Sequence, residues 1–215
     1  QYPDNANPPT LYLALEGLID RGDLTDGDLK FLKGAFSALV ANFKWFVKTQ
    51  KGPERNTFRW RGASGVHTLP SGLDDYPRTN EERPENKEER TDKEEHVDLL
   101  SWMIISSNIL DKLATTVDIY DIPQFKMIEE ELLDRLQERY WNEEFNAYTD
   151  YDGREGRTVD NVGYISLFPF LFGLVSVDSP RLGQLLDLME DPKHLKTNFG
   201  LRSLSASHRL YGKDK

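Results

Sequence analysis

Apolar residues along this chain recur at helical and not alternating spacing, and they fall into six blocks. In the block opening at Thr10, Leu11, Leu13, Ala14, Leu15, Leu18 and Ile19 are apolar almost all round. This predicts a buried first helix, with Pro8 and Pro9 at its threshold where a missing N–H costs least. Over about 28–50, Leu29, Leu32, Ala35, Phe36, Leu39, Val40, Phe43, Phe46 and Val47 form one stripe and Lys30, Lys33, Lys44 and Lys48 the other, an external amphipathic helix. The third block, about 95–117, is again wide and buried, through Val97, Leu99, Leu100, Trp102, Met103, Ile104, Ile105, Ile109, Leu110 and Leu113. A fourth, amphipathic helix over about 124–140 turns Phe125, Ile128, Leu132, Leu133 and Leu136 inward. The fifth, about 162–175, is the most apolar, and Pro169 is expected to kink or divide it. The sixth opens at Pro180 and points Leu182, Leu185, Leu186 and Met189 to the core. Alternating strand patterns are missing outside the loops, so the fold class is all-α.

Connections after helices one, three and five are short, whereas those after two, four and six are long and hold most of the polar chemistry. If consecutive helices are antiparallel, the long loops and Asn7-Pro8-Pro9 gather at one end, where the buried helices begin. Buried and amphipathic helices alternate, as in about half of an (α/α)6 toroid barrel; a plain six-helix bundle has the same local pattern.

Composition narrows the partners. A net charge of −10, from 37 acidic against 27 basic residues, argues against nucleic acid and anionic membranes and fits a neutral or cationic ligand. Without Cys there are no disulfides or thiolate metal sites, and the compartment stays open. No apolar run is long enough to span a membrane. Gln1, without a preceding Met or signal, and the loop-like end at Leu210-Tyr211-Gly212-Lys213-Asp214-Lys215 both read as cuts in a longer chain.

The candidate chemistry centres on Ser71-Gly72-Leu73-Asp74-Asp75-Tyr76-Pro77-Arg78, framed by Arg59-Trp60-Arg61-Gly62 and by Glu94-Glu95-His96-Val97-Asp98. Carboxylates, arginines and aromatic rings in one loop suit a polyhydroxylated ligand, although Asp-Asp-Tyr-Pro-Arg alone is also ordinary turn chemistry. Asp74 and Asp75 point to opposite sides of an extended backbone, so one faces the cleft while the other braces the loop through Arg78. Trp60, Tyr76 and Trp102 are candidate apolar walls for a protonated carboxyl. Glu94, His96 and Asp98 at the start of helix three serve as caps, as acceptors of sugar hydroxyls, or both. No second His-containing motif stands at metal-ligand spacing, so no metal is expected. Arg59-Trp60-Arg61 offers a stacking platform with fork donors, or a loop packed by its Trp. Asp160-Asn161-Val162-Gly163-Tyr164 and the Arg202 loop fit capping and turn chemistry, but their shared end of the bundle favours a cleft. The acid-rich stretch 79–93 is expected to be a solvated, mobile insertion without chemistry.

Taken together, six stretches carry a family resemblance: Ala6-Asn7-Pro8-Pro9-Thr10-Leu11, Arg59-Trp60-Arg61-Gly62, Thr68-Leu69-Pro70-Ser71-Gly72-Leu73-Asp74-Asp75-Tyr76-Pro77-Arg78, Glu-x-His-x-Asp at Glu94 to Asp98, Gly163-Tyr164-Ile165-Ser166-Leu167-Phe168-Pro169 and Phe199-Gly200-Leu201-Arg202-Ser203-Leu204. In this order they resemble glycoside hydrolase family 63, the family of the processing α-glucosidase I or mannosyl-oligosaccharide glucosidase. The resemblance implies a fragment of an (α/α)6 catalytic domain that removes the outermost α-1,2-linked glucose of the Glc3Man9GlcNAc2 N-glycan with inversion, in the endoplasmic reticulum lumen. It implies Asp74 as general acid and Glu94, His96 and Asp98 as substrate-binding, while the residues themselves add Arg59, Trp60, Arg61, Asp75, Tyr76, Arg78, Tyr164 and Arg202 as candidate substrate-binding side chains. It implies no cofactor and no metal, a partner in the remainder of the catalytic domain that carries the base, a Glu, and no membrane contact from this segment. The family's N-terminal β-rich domain and membrane anchor have no counterpart here, and the 79–93 insertion is longer than the family pattern. The fragment is expected to be inactive alone; the alternative is a carbohydrate-binding or interaction module that keeps the cleft without the reaction.

Overall fold

The computed structural model describes residues 6–62, 67–80, 91–120 and 123–213. Among them run six helices: α1 (Leu11–Asp20), α2 (Asp26–Thr49), α3 (Val97–Thr116), α4 (Phe125–Arg139), α5 (Phe168–Leu171) and α6 (Pro180–Glu190). The long loops hold two-residue strands: β1 (Glu94–Glu95), β2 (Trp141–Asn142), β3 (Ala147–Tyr148), β4 (Tyr151–Asp152) and β5 (Arg157–Thr158). β4 pairs antiparallel with both β1 and β5, and β2 pairs with β3.

α3 is the centre of the packing. Its apolar residues surround the axis, and it touches α1, α2, α4 and α5, so both faces are covered over most of its length. α2 begins where Thr25 and Asp28 bond each other's backbone N–H reciprocally, at 3.2 and 2.9 Å, which satisfies two donors the first turn leaves free. It buries Leu32, Phe36, Leu39, Phe43 and Phe46, one stripe with alternate gaps of four and three, and Phe43 meets Phe125 of α4 edge to face at 5.8 Å. The Tyr12 hydroxyl ties α1 to α2 by donating to the Leu39 carbonyl at 2.8 Å.

Three expectations change. α1 buries only Tyr12 and Leu15, while Leu11 is 61 % exposed, because α1 packs against α3 along one side. The fifth helix is much shorter than 162–175: Val162 and Gly163 are extended, Tyr164–Leu167 is a 3-10 turn, and α5 has four residues. Pro169 lies in its first turn, where its missing N–H is harmless, and Gly173 at φ +67 turns the chain away. Trp102, Phe168 and Phe172 stack against each other at 4.6–6.1 Å, and Leu171 beside them is 70 % exposed. The polar stretch 141–161 is a pair of hairpins and not an irregular loop; its strands are too short to show a period. Most of the acid-rich insertion, 81–90, lies outside the described residues, and at its C-terminal margin Thr91 is buried and accepts a hydrogen bond from Arg59.

Candidate active site

A cleft of about 540 Å³ is lined by Asp74, Asp75, Tyr76, Tyr164, Ser203 and Tyr211 among others. Local chemistry sets the Asp74 loop. Pro70 sits in a 3-10 turn, Leu69–Ser71, which Gly72 ends at φ +70. Ser71 Oγ then accepts the Leu73 N–H at 3.1 Å, and the Asp74 carbonyl accepts the Thr68 N–H at 3.0 Å. This backbone clamp leaves the Asp74 side chain exposed in the cleft. Asp75, also exposed, pairs with His67 Nδ1 at 2.7 Å and not with Arg78.

Arg78 turns inward instead. Its guanidinium is buried between two buried carboxylates, donating Nη1 and Nη2 to Asp98 at 3.1 and 2.8 Å and Nη1 to Asp150 at 3.1 Å. Asp98 also accepts Trp60 Nε1 at 3.1 Å and the Leu99 N–H at 2.8 Å. Burial would raise the Asp98 carboxyl, but the charge and hydrogen bonds of Arg78 outweigh it and hold Asp98 below the usual carboxylate range. At Asp150 burial wins over Arg78, and the carboxyl is pushed up. Burial, reinforced by Asp150, also lifts the Tyr76 hydroxyl well above its ordinary value, so it stays a donor and bonds the Asn161 carbonyl at 2.9 Å.

Behind this network His96 Nδ1 accepts the Trp60 backbone N–H at 2.9 Å, so its ring proton is on Nε2 and is donated to Glu94 Oε2 at 2.9 Å. Neighbouring Glu95 points to the other face of β1, where Arg139 grips it through two bonds of 2.6 and 2.9 Å. Trp60, Arg78, Glu94, His96 and Asp98 are therefore buried, and apart from Arg78 Nε the polar groups described are engaged inside the protein. Trp60 packs on Phe46 and Trp102 on Phe172, so neither is the open wall expected for an acid; Tyr76 does line the cleft. Arg59 is half-buried, and Arg61 carries a buried Nε with no partner.

The opposite wall depends on Gly163. A Cβ there would stand 2.1 Å from the Ser203 carbonyl oxygen and 2.7 Å from the Tyr76 hydroxyl, so only glycine lets 203–204 pair alongside. Tyr164 lines the cleft and donates its hydroxyl to the Leu201 carbonyl at 3.2 Å. Arg202 binds the carbonyls of Pro192, His194 and Lys196 and the Tyr211 hydroxyl, which makes it a staple of its own loop. Asn161 holds the Pro77 and Thr79 carbonyls through Nδ2. Sequence reasoning missed His67 and Asp150, whose partners are fixed only by tertiary structure. Among the described residues no group of three or more His, Cys, Asp or Glu is arranged to hold a metal ion, and no helix is long and apolar enough to cross a membrane.

Residues 1–157 and 152–215 match the Glycosyl hydrolase family 63 C-terminal domain. The chain belongs to glycoside hydrolase family 63. Within this family it is similar to the probable mannosyl-oligosaccharide glucosidase of Schizosaccharomyces pombe, at 35 % identity over 257 aligned positions covering 99 % of this chain and 31 % of the relative. It is also similar to alpha-glucosidase 2 of Arabidopsis thaliana, at 31 % identity over 99 % of this chain and 32 % of that one. The chain thus spans 31 to 32 % of the length of these curated relatives. The fold is similar to that of the family 63 mannosylglycerate hydrolase of Thermus thermophilus, solved in complex with glucose, with a TM-score of 0.74 at 15 % identity over 99 % of this chain and 58 % of that one. The two family 63 matches meet over 152–157, the β4–β5 hairpin.

Proposed function

We propose that this chain is the acid-bearing part, roughly half, of an (α/α)6 glycosidase domain that removes a terminal α-1,2-linked glucose from a glucosylated N-glycan with inversion. The observation that carries the reading is the Asp74 carboxyl, exposed in the cleft on a loop whose backbone is held on both sides. The relatives named as mannosyl-oligosaccharide glucosidases support the substrate class. Asp74 gives its proton to the glycosidic oxygen as the bond to the sugar breaks. A Glu outside these residues activates water on the opposite face of the ring, about 6.5–9.5 Å away in inverting enzymes. Asp75 is engaged by His67 and Glu94 lies buried against His96, so neither is placed to be that base. Asp75, Tyr76 and Tyr164 shape the sugar-facing wall, while Trp60, Arg78, Glu94, His96 and Asp98 brace it from beneath. Arg59 and Arg61 flank the brace, and Arg202 holds the far loop in register. The place of action is the endoplasmic reticulum lumen, where glucosylated N-glycans are trimmed.

The test is turnover of a glycan ending in α-1,2-linked glucose. The full-length protein is expected to release glucose first as the β-anomer, Asp74→Asn to lose about 10²–10⁴-fold, and residues 1–215 alone to show no turnover. Undiminished turnover by Asp74→Asn removes Asp74 from the reaction, release of the α-anomer overturns inversion, and turnover by the isolated chain places a base within it.

A further inference from the structure

Asp150 lies on the link between β3 and β4, fully buried, and no motif marks it. Its Oδ1 accepts the N–H of Val97, the first residue of α3, at 2.8 Å. The N-cap residue of that helix, His96, makes no side-chain cap bond, so a carboxylate from 53 residues away supplies what the local sequence does not. Its Oδ2 accepts Arg78 Nη1 at 3.1 Å, the same nitrogen that bonds Asp98. Arg78 Nε has no partner, so the direction of this guanidinium rests on the two carboxylates. Arg78 stands four positions after Asp74, and the intervening Tyr76 and Pro77 are fixed to Asn161. Asp150 therefore sets the offset between the start of α3 and the loop that presents Asp74. Both of its oxygens are engaged inside the protein, and neither reaches the cleft.

We propose that Asp150 is a positioning residue, which holds the Asp74 carboxyl in place for the reaction through Arg78 and the α3 N-terminus. This rests on the reading of Asp74 as the acid. Asp150→Asn keeps the shape and an acceptor for Val97 but removes the charge facing Arg78, leaving that side chain to pivot about Asp98. Misplacement of a reacting group by about 1 Å costs about 10²-fold in rate.

The experiment measures kcat and KM per folded molecule in the full-length protein for wild type, Asp74→Asn, Asp150→Asn and, as a destabilised control remote from the cleft, Leu136→Ala. Asp150→Asn is expected to lower kcat about 10²-fold with KM nearly unchanged, whereas Leu136→Ala lowers thermal stability and leaves kcat at the wild-type value. Wild-type kcat in Asp150→Asn beside a disabled Asp74→Asn overturns the positioning role and leaves the acid assignment standing. Wild-type kcat in Asp74→Asn overturns both. Where the Asn variant fails to fold, Asp150→Glu keeps the charge and shifts it by one methylene. A lowered kcat that stays above that of Asp74→Asn is then expected, and wild-type kcat overturns the role.

Discussion

Replacing Asp98 by Asn tests the electrostatic account of the buried network. The carboxylate accepts two bonds from Arg78, one from Trp60 Nε1 and one from the Leu99 N–H, all at 2.8–3.1 Å and all away from water. Asn offers one acceptor oxygen where two are used, and its NH2 faces donors. Breaking a buried ion pair by removing one partner costs about 3–5 kcal/mol, a large share of the about 5–15 kcal/mol that holds a domain together. The loss must also depend on pH. Since Arg78 holds the folded Asp98 carboxyl below its unfolded value of about 3.9, its stabilisation is present above that value and is lost as pH falls through the folded one. Asp150, raised by burial, contributes with the opposite sign, so wild type and variant are compared at each pH and not by slope alone. Denaturant titration followed by Trp fluorescence, from pH 7 down to about 3, reads both effects. A deficit of about 3–5 kcal/mol at neutral pH that shrinks below about pH 4 is expected. A deficit under about 1 kcal/mol at pH 7, or one that does not change on acidification, refutes the reasoning.

Gly163→Ala must push the Ser203–Leu204 segment and Tyr76 away from residue 163, so we expect a loss of about 1–3 kcal/mol, typical of overpacking, and faster proteolysis within residues 201–213; unchanged proteolysis would deny the close approach. Thr25→Ala removes the cap of α2 and should lower stability by about 0.5–2 kcal/mol in thermal denaturation. For His96, long-range ¹⁵N–¹H NMR should show a pyridine-type Nδ1 and a protonated Nε2; a pyrrole-type Nδ1 would contradict the bond from Trp60.

The helical skeleton was readable because burial repeats: the 4-3-4-3 stripe of α2 and the wide apolar surface of α3 state their own surroundings. α5 was overread because a Phe- and Leu-rich run is apolar whatever backbone it adopts, and Pro169 with Gly173 decided its length. Asp74 and Tyr164 were legible as residues of one cleft, since loop lengths alone gather them at one end. Which carboxylate Arg78 would choose was not. Asp75 was near in sequence, but the buried partners Asp98 and Asp150 lie 20 and 72 positions on, and proximity in a chain says nothing about burial in a fold.

The cleft is stitched together by contacts between distant parts of the chain: Tyr76 to Asn161 spans 85 positions and Arg209 to Asn80 spans 129. By contrast, α3 packs with α4, its neighbour in sequence. Loop closure makes the long contacts slow to form and leaves the short ones fast. On a ribosome, α2, α3 and α4 can settle as soon as they emerge, whereas the Asp74 loop has no opposite wall until Ser203 and Tyr211 have been made. The Asp74 carboxyl thus stays solvated until the residues of that wall have emerged, and gains its setting only then.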